Sequence, residues 1–351
     1  MKKQLLLNCL FLFLFYSENI AQNAKIDSFL AIYAEKNNFN GTVLIGERGR
    51  VTTWAAFGMA NRSFPAKVSR LTRFRIASIT KTFTATLILQ LMEEGKIDLS
   101  HTISHYLPEY TGEVAKKATI HHLLTYSSGM ENKDQNNEEM YALQLHPDTI
   151  VTRYCSGKMV YEPGTRMDYK NAEYILLGKI IEKITQKSFK TVLLERILKP
   201  LNMQRSGYLQ NKDVIFSLAS SYLADSSGHF FNDDPFWIEN FQASGAMYST
   251  AEDLYRFDQA LFGARLLRPE TVRLMTTPYP ELWGVAYSFW VNKKDFGKKT
   301  DWVVDRRGSI SGNNAAWYHF INSNITIIIL SNTTATDLVD FREKIAEIVV
   351  K

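Results

Sequence analysis

The order of strand-like and helix-like segments constrains this chain more than any other feature. "GTVLIGERGRVTTWAAFG" reads as two strands around a turn at Glu47–Gly49. Near the other end, "VAYSFWVN", "DWVVDRR", "AAWYHFI" and "ITIIILS" are also β-rich and joined by turns. Helical patterns lie between them. "TKTFTATLILQLMEE" carries apolar residues on one broad face and is ended by Gly95, and "NAEYILLGKIIEKITQK" is amphipathic. "STAEDLYRFDQALF" opens on a Ser/Thr cap with Glu252 and Asp253 in its first turn, and "DLVDFREKIAEIVV" closes the chain. Strands at both ends bury their faces most simply by joining one sheet. The expectation is an α/β (α+β) fold, with an antiparallel sheet built from both termini, flanked by helices, and a mostly helical lobe inserted in the middle. The sheet lobe is expected over about 22–110 and 240–351, and the helical lobe over about 111–239.

Composition narrows the function. Of 351 residues 45% are hydrophobic, enough for a large core, and no run of like charge points to disorder. The net charge of +5 is spread along the chain without the basic cluster that nucleic-acid binders carry. "MKKQLLLNCLFLFLFYSENIAQ" has a basic start, a short apolar run and Ala21 as a small residue near a cut, the layout of a secretory signal peptide over 1–21. A periplasmic or secreted protein without a stable membrane anchor is therefore expected. Removal of that segment leaves Cys155 as the single cysteine, which excludes an internal disulfide framework.

The chemistry centres on "FRIASITKTF". Serine needs a base within hydrogen-bonding reach to become a nucleophile, and residues three apart share a helix face, so Ser78 and Lys81 can meet. The competing reading is a helix-capping serine followed by a solvated lysine. The chain has no second S-x-x-K, and among 17 tyrosines only Tyr169-Lys170-Asn171 fits Y-x-N. A phenol beside a lysine can relay protons, and an amide can hold a carbonyl. Tyr169 as a loop aromatic and Asn171 as a helix N-cap remain open alternatives. His121 and His122 are expected to pack and hydrogen-bond locally. No metal motif and no phosphate loop is present, so cofactor-free chemistry is expected.

These segments together resemble the serine β-lactamase and penicillin-binding-protein family, in its class C β-lactamase-like, DD-carboxypeptidase and esterase branch. "FRIASITKTFTA" resembles the nucleophile motif, which the S-x-x-K signature marks. "TIHHLLTYSSGM" is similar to the family's "HLLTHTSG", and "EPGTRMDYKNAEYILLGKIIEKIT" to its "PG…F-x-Y-S-N…Y…LLG-x-I-I-E" stretch. "ASGAMYSTAEDLYRFDQAL" resembles its "GG-x-x-S-T-A-x-D-x-x-R-F" helix. The resemblance implies Ser78 as acylated nucleophile, Lys81 and Tyr169 sharing base and proton-relay duty, and Asn171 orienting the substrate amide.

The resemblance also implies a third motif, a basic residue-x-Gly on the strand lining the cleft. Arg205-Ser206-Gly207 and Arg306-Arg307-Gly308 both fit, and "RRGSISG" stands where the family has "HGGSISGF". Arg306 then replaces the usual Lys or His and is expected to grip a substrate carboxylate with its two-pronged guanidinium. Gly308 allows close approach, and the Ser309 amide joins that of Ser78 in an oxyanion hole. The alternative makes both arginines strand-end surface charges. The sequence thus points to an exported serine hydrolase working through an acyl-enzyme on amide, ester or lactam carbonyls. A penicillin-binding-protein-like peptidase or esterase comes first. A class C-like β-lactamase and a non-catalytic binding or regulatory protein that keeps the fold are the alternatives.

Overall fold

The computed structural model describes residues 24–133, 138–297 and 299–350. The expected signal peptide lies outside the described residues. A helix over 24–36 (α1) leads into strands β1, Gly41–Glu47, and β2, Arg50–Phe57. The far end of the chain supplies β3, Trp290–Phe296, β4, Lys299–Ile310, β5, Asn313–Phe320, and β6, Ile325–Ser331. They form one antiparallel sheet in the order β3-β4-β5-β6-β1-β2. Gly41 pairs with Ser331 and Leu44 with Ile328, so the two ends of the chain meet at the β1–β6 seam.

Side chains alternate between the two faces, as strand geometry requires. Val43, Ile45, Ile327, Ile329 and Tyr318 pack against α1 and the closing helix α5, Leu338–Val349. Leu44, Ile328, Leu330, Val304 and Trp317 face the remaining helices. On β4 the first face therefore takes Asp305, whose carboxylate meets Arg342 of α5, and the second takes Arg306 and Gly308, both buried.

The helix α2, Thr80–Glu93, follows Ser78 and is buried nearly all round, with eleven of its fourteen residues inside. The one-faced expectation fails because most of its polar positions are threonines, whose short hydroxyls can reach carbonyls inside the core. Thr86 donates to the Thr82 carbonyl at 2.8 Å, and Thr84 to the Ala243 carbonyl at 2.6 Å. Each fully buried leucine or phenylalanine here contributes about 1.5–3 kcal/mol. Helix α3, Asn171–Thr185, packs beside α2, and α4, Ala251–Phe262, lies under the sheet. Phe83 of α2 stacks on Phe257 of α4 at 3.9 Å. α2 therefore belongs to the shared core between sheet and helical lobe.

Strand β4 runs five residues past its pairing with β3, which stops at Asp305 opposite Trp290. Among the described residues no strand pairs with Arg306–Ile310 on that side, while the other side stays paired with β5. The free edge faces the turn that carries Ser78.

Candidate active site

Ser78 sits on a tight turn rather than at a cap. A short strand, Phe74–Arg75, pairs with Met247–Ser249, and the chain then turns through Ala77–Ile79 into α2. Ala77 takes φ +46°, a left-handed conformation that costs a non-glycine residue about 1–2 kcal/mol, and it is held there by complete burial. The N-cap of α2 is Ile79 and makes no side-chain cap bond, so the capping reading of Ser78 falls.

The hydroxyl of Ser78 is instead reached from two sides. Lys81 Nζ donates to Ser78 Oγ at 3.1 Å and the Tyr169 hydroxyl donates to it at 2.7 Å. Lys81 is fully buried and also donates to Asn171 Oδ1 at 2.7 Å and to the Ser244 carbonyl at 2.9 Å. Three oxygens around one ammonium suit the charged form. Asn171 donates in turn to the Tyr141 hydroxyl at 3.0 Å. Its side chain therefore fixes Lys81 rather than standing open for a substrate amide. It is also the first helical residue of α3, whose N-cap is Lys170. The lysine that adjoins the phenol in space is Lys81. Lys170 turns away and is buried against Tyr161 Oη at 3.0 Å and Asp168 Oδ2 at 3.1 Å.

Arg306 corrects the expectation of a carboxylate grip. It is 1% exposed, and its five N–H groups meet protein oxygens. Nε and Nη2 donate to the Ser78 carbonyl at 2.8 and 2.7 Å, and Nη2 also donates to Tyr169 Oη at 3.0 Å. Nη1 donates to Tyr126 Oη at 3.1 Å and to the Ser288 carbonyl at 2.9 Å. A fork spent on five internal bonds has none left for a substrate, and a buried one is no surface charge. The physical reason is parity: Arg306 points to the core face of β4. The other basic-x-Gly segment does not line the cleft that holds Ser78: Ser206 bonds Asp253 and Gly207 pairs with Tyr248.

The charges select one phenol. Burial raises the pKa of Tyr126 and that of Tyr174. Burial also works against ionising Tyr169, but the adjacent charges of Lys81 and Arg306 outweigh it, and its pKa falls to about 8. For Arg306 burial disfavours the charge, yet the phenols of Tyr126 and Tyr169 more than offset this and raise its pKa. Burial lowers the pKa of His122 to about 4, and that ring accepts from the Thr119 amide in a capping box. His121 bonds Tyr287 at 2.8 Å. Neither histidine contacts Ser78.

Gly308 is needed for close approach. A Cβ there would lie 2.3 Å from the Ile76 carbonyl and 3.1 Å from the Ser78 amide nitrogen. β4 is thereby laid against the serine turn, which puts Ser309 at the rim. Ser78, Tyr169, Gly308 and Ser309 line one open cleft of about 560 Å³ with Trp290, Arg307 and the start of α5. Its lining holds no group of histidine, cysteine or acidic side chains fit for a metal, and none occurs among the described residues.

The sequence reading missed Tyr126, Trp290, Tyr141 and Ser244. Tyr126 lies parallel to Trp290 at 5.8 Å and tilted to Tyr169 at 4.8 Å, forming the aromatic wall behind the phenol. Its signal was in plain view, since Tyr126 stands where the quoted "HLLTHTSG" pattern has its second histidine. Ser244 contributes only a backbone carbonyl, which no side-chain pattern reveals.

The model of the beta-lactamase family matches residues 26–349. Penicillin-binding protein 4* of Bacillus subtilis strain 168 is 27% identical over 320 residues, covering 85% of this chain and 69% of that one. The crystal structure of a penicillin-binding protein from Bacillus halodurans superposes with a TM-score of 0.77 at 25% identity, covering 90% of this chain and 98% of the other. The D-amino acid amidase of Ochrobactrum anthropi SV3 shares the fold, with a TM-score of 0.79 at 21% identity over 94% and 98% of the two chains. The chain spans 63% of the length of PbpX from Bacillus subtilis and 39% of a Staphylococcus aureus Flp protein, so these curated relatives are substantially longer.

Proposed function

We propose that this chain, which belongs to the beta-lactamase family, is a serine hydrolase, a peptidase or esterase acting through an acyl-enzyme on Ser78. The observation that carries this reading is the position of Ser78 Oγ. It lies 2.7 Å from a phenol whose pKa is lowered to about 8 and 3.1 Å from a buried lysine, at the free edge of β4.

The division of labour follows from charge. Lys81 is held by the oxygens of Ser78, Asn171 and Ser244, and Arg306 is permanently charged, so the proton-accepting role is assigned to Tyr169, whose pKa is lowered to about 8. The Tyr169 phenolate takes the proton of Ser78 Oγ as that oxygen bonds to the substrate carbonyl carbon. The carbonyl oxygen becomes an oxyanion held by the amides of Ser78 and Ser309, at the position that Gly308 keeps open. Tyr169 then gives the proton to the departing nitrogen or oxygen as the scissile bond breaks. Water, activated by the same phenolate, releases the acyl group from Ser78.

An extended substrate fits the unpaired edge Arg306–Ile310 as an added strand. A peptide with D-configured residues at the scissile bond is the substrate class favoured, by analogy with the D-amino acid amidase and the penicillin-binding relatives. Export is part of the proposal and rests on the leader pattern of residues 1–21. The test is labelling with a fluorescent penicillin and a fluorophosphonate, followed by peptide mass mapping. The wild-type protein is expected to carry the adduct on Ser78 and Ser78→Ala to carry none. Equal labelling of both, or labelling of neither, sinks the assignment.

A further inference from the structure

We propose that Lys170, the residue between Tyr169 and Asn171, is a positioning residue that clamps the segment carrying the Tyr169 phenol against Ser78. The inference rests on the hydrolase reading above, with Tyr169 as its proton acceptor. Lys170 has extended backbone, φ −137° and ψ 143°, so its side chain points away from those of its two neighbours. Tyr169 and Asn171 reach Ser78 and Lys81, while Lys170 enters the core behind them and is 1% exposed. Its Nζ donates to Tyr161 Oη at 3.0 Å and to the Asp168 carbonyl at 2.9 Å, and lies 3.1 Å from Asp168 Oδ2. Three donors thus meet three oxygens. Burial disfavours the charge, but Glu173, Tyr161 and Asp168 outweigh it and raise the pKa, so the group stays an ammonium. The serine of the quoted Y-S-N pattern is too short to make these contacts.

Tyr169 lies near the end of an irregular stretch, 160–170, that runs from the strand Cys155–Met159 to α3. Two amides of that stretch, Gly164 and Asp168, donate at 2.8 Å to the carbonyls of Ser127 and Tyr126. From the first turn of α3 the fully buried Glu173 accepts from the Ser128 amide at 3.1 Å and its hydroxyl at 2.6 Å. Lys170 ties Tyr161 and Asp168, at the two ends of the stretch, to the start of α3. With Arg166 over the Tyr161 ring it stands against the carboxylates of Asp168 and Glu173. Tyr126 in turn accepts from Arg306, so the stretch, the helix and the guanidinium share one buried cluster. Burial opposes ionisation of Tyr169, and its contacts with Lys81 and Arg306 bring its pKa down to about 8, with Tyr126 tilted beside it. A buried ammonium of this kind fixes one arrangement more than it adds stability. Without the clamp the phenol drifts from those two charges, and its pKa climbs toward the ordinary 10.

The experiment titrates the Tyr169 phenol by the ultraviolet absorbance of tyrosinate, each protein being read against the same protein carrying Tyr169→Phe. The acid limb of acylation is followed beside it. Wild type is expected to ionise at about 8. Lys170→Met, of similar length without the charge, is expected to move both midpoints up by about 1–2 units and to slow acylation at pH 7 about 10- to 100-fold. Lys170→Arg should restore most of the shift. Loss of folded protein alone lowers the amplitude and moves neither midpoint. Lys170→Met/Glu173→Gln removes one charge of each sign, so it keeps the test open if the single variant does not fold, and it should shift as far as Lys170→Met. A phenol that stays at 8 in either variant overturns the proposal. In the single variant it means that Lys170 has no hold on Tyr169, and in the double variant alone that Lys170 is a countercharge instead of a clamp. A wild-type phenol that ionises near its ordinary 10 removes Tyr169 as the base and this proposal with it, whereas an unmoved phenol at 8 removes the clamp and leaves the base standing.

Discussion

Replacing Arg306 with glutamine tests whether Tyr169 is the base. In the native site the guanidinium lies 3.0 Å from Tyr169 Oη, and with Lys81 it brings that phenol from its ordinary 10 to about 8. An opposite charge at such range is worth about 1–3 pKa units, so its loss should return Tyr169 to about 9–11. Activity requires the phenolate and rises with pH as Tyr169 ionises, so the acid limb of kcat/KM should move upward by the same amount. At pH 7 a phenol of pKa about 8 is ionised in roughly one molecule in ten, and one of pKa about 10 in roughly one in a thousand. Acylation should therefore slow about 100-fold at pH 7 and recover much of that loss near pH 10. Glutamine also leaves oxygens such as the Ser78 and Ser288 carbonyls short of donors, at about 1–3 kcal/mol each. The readout is for that reason the position of the limb, which does not depend on how much protein is folded. Arg306→Lys keeps the charge and should hold the limb within about one unit of 8 while losing the paired bonds to the Ser78 carbonyl. An acid limb that stays put in Arg306→Gln would refute the reasoning, because the charge would then have no hold on the group that titrates.

Two further substitutions probe the frame around the serine. Gly308→Ala places a methyl 2.3 Å from the Ile76 carbonyl, so β4 and the serine turn must separate. Stability should fall by about 1–3 kcal/mol and acylation by about 100- to 1,000-fold. Thermal melts and stopped-flow acylation check both, and an alanine variant that acylates at the native rate removes the close-approach argument. Asn171→Ala removes the Lys81 acceptor at 2.7 Å and the link to Tyr141, which should lower kcat about 10- to 100-fold with a smaller change in KM. If KM bears the loss instead, Asn171 contacts substrate and the geometry has been misread.

The two departures from the family pattern meet in space. Arg306 stands for the usual lysine or histidine of the third motif, Tyr126 stands for a histidine of the second quoted segment, and Arg306 Nη1 donates to Tyr126 Oη. A guanidinium carries more donors than an ammonium or an imidazole, and the phenol is one of the acceptors that allow it to be buried. Its placement against Tyr169 and the Ser78 carbonyl makes Arg306 a positioning residue in the proposed mechanism.

By itself the sequence determined what depends on neighbours along the chain. The continuous apolar runs of Val43–Ile45 and Ile327–Leu330, bounded by turn residues, and the helical runs beginning at Thr80 and Asn171, set the strands and helices. The three-residue step from Ser78 to Lys81 set their meeting, because one helical turn spans it. Tyr169 and Asn171 were legible only through resemblance, since 91 residues separate Tyr169 from Ser78. Tertiary structure decided the rest. Arg306 reaches Ser78 across 228 residues, and whether it or Arg307 faces the core turns on the parity of β4 against β5. A shift of one residue in that register would exchange the two arginines, burying one charge and exposing the other. Both are the same residue with opposite environments, so the strand's place in the sheet, and nothing local, buries one beside the serine and leaves the other exposed at the cleft.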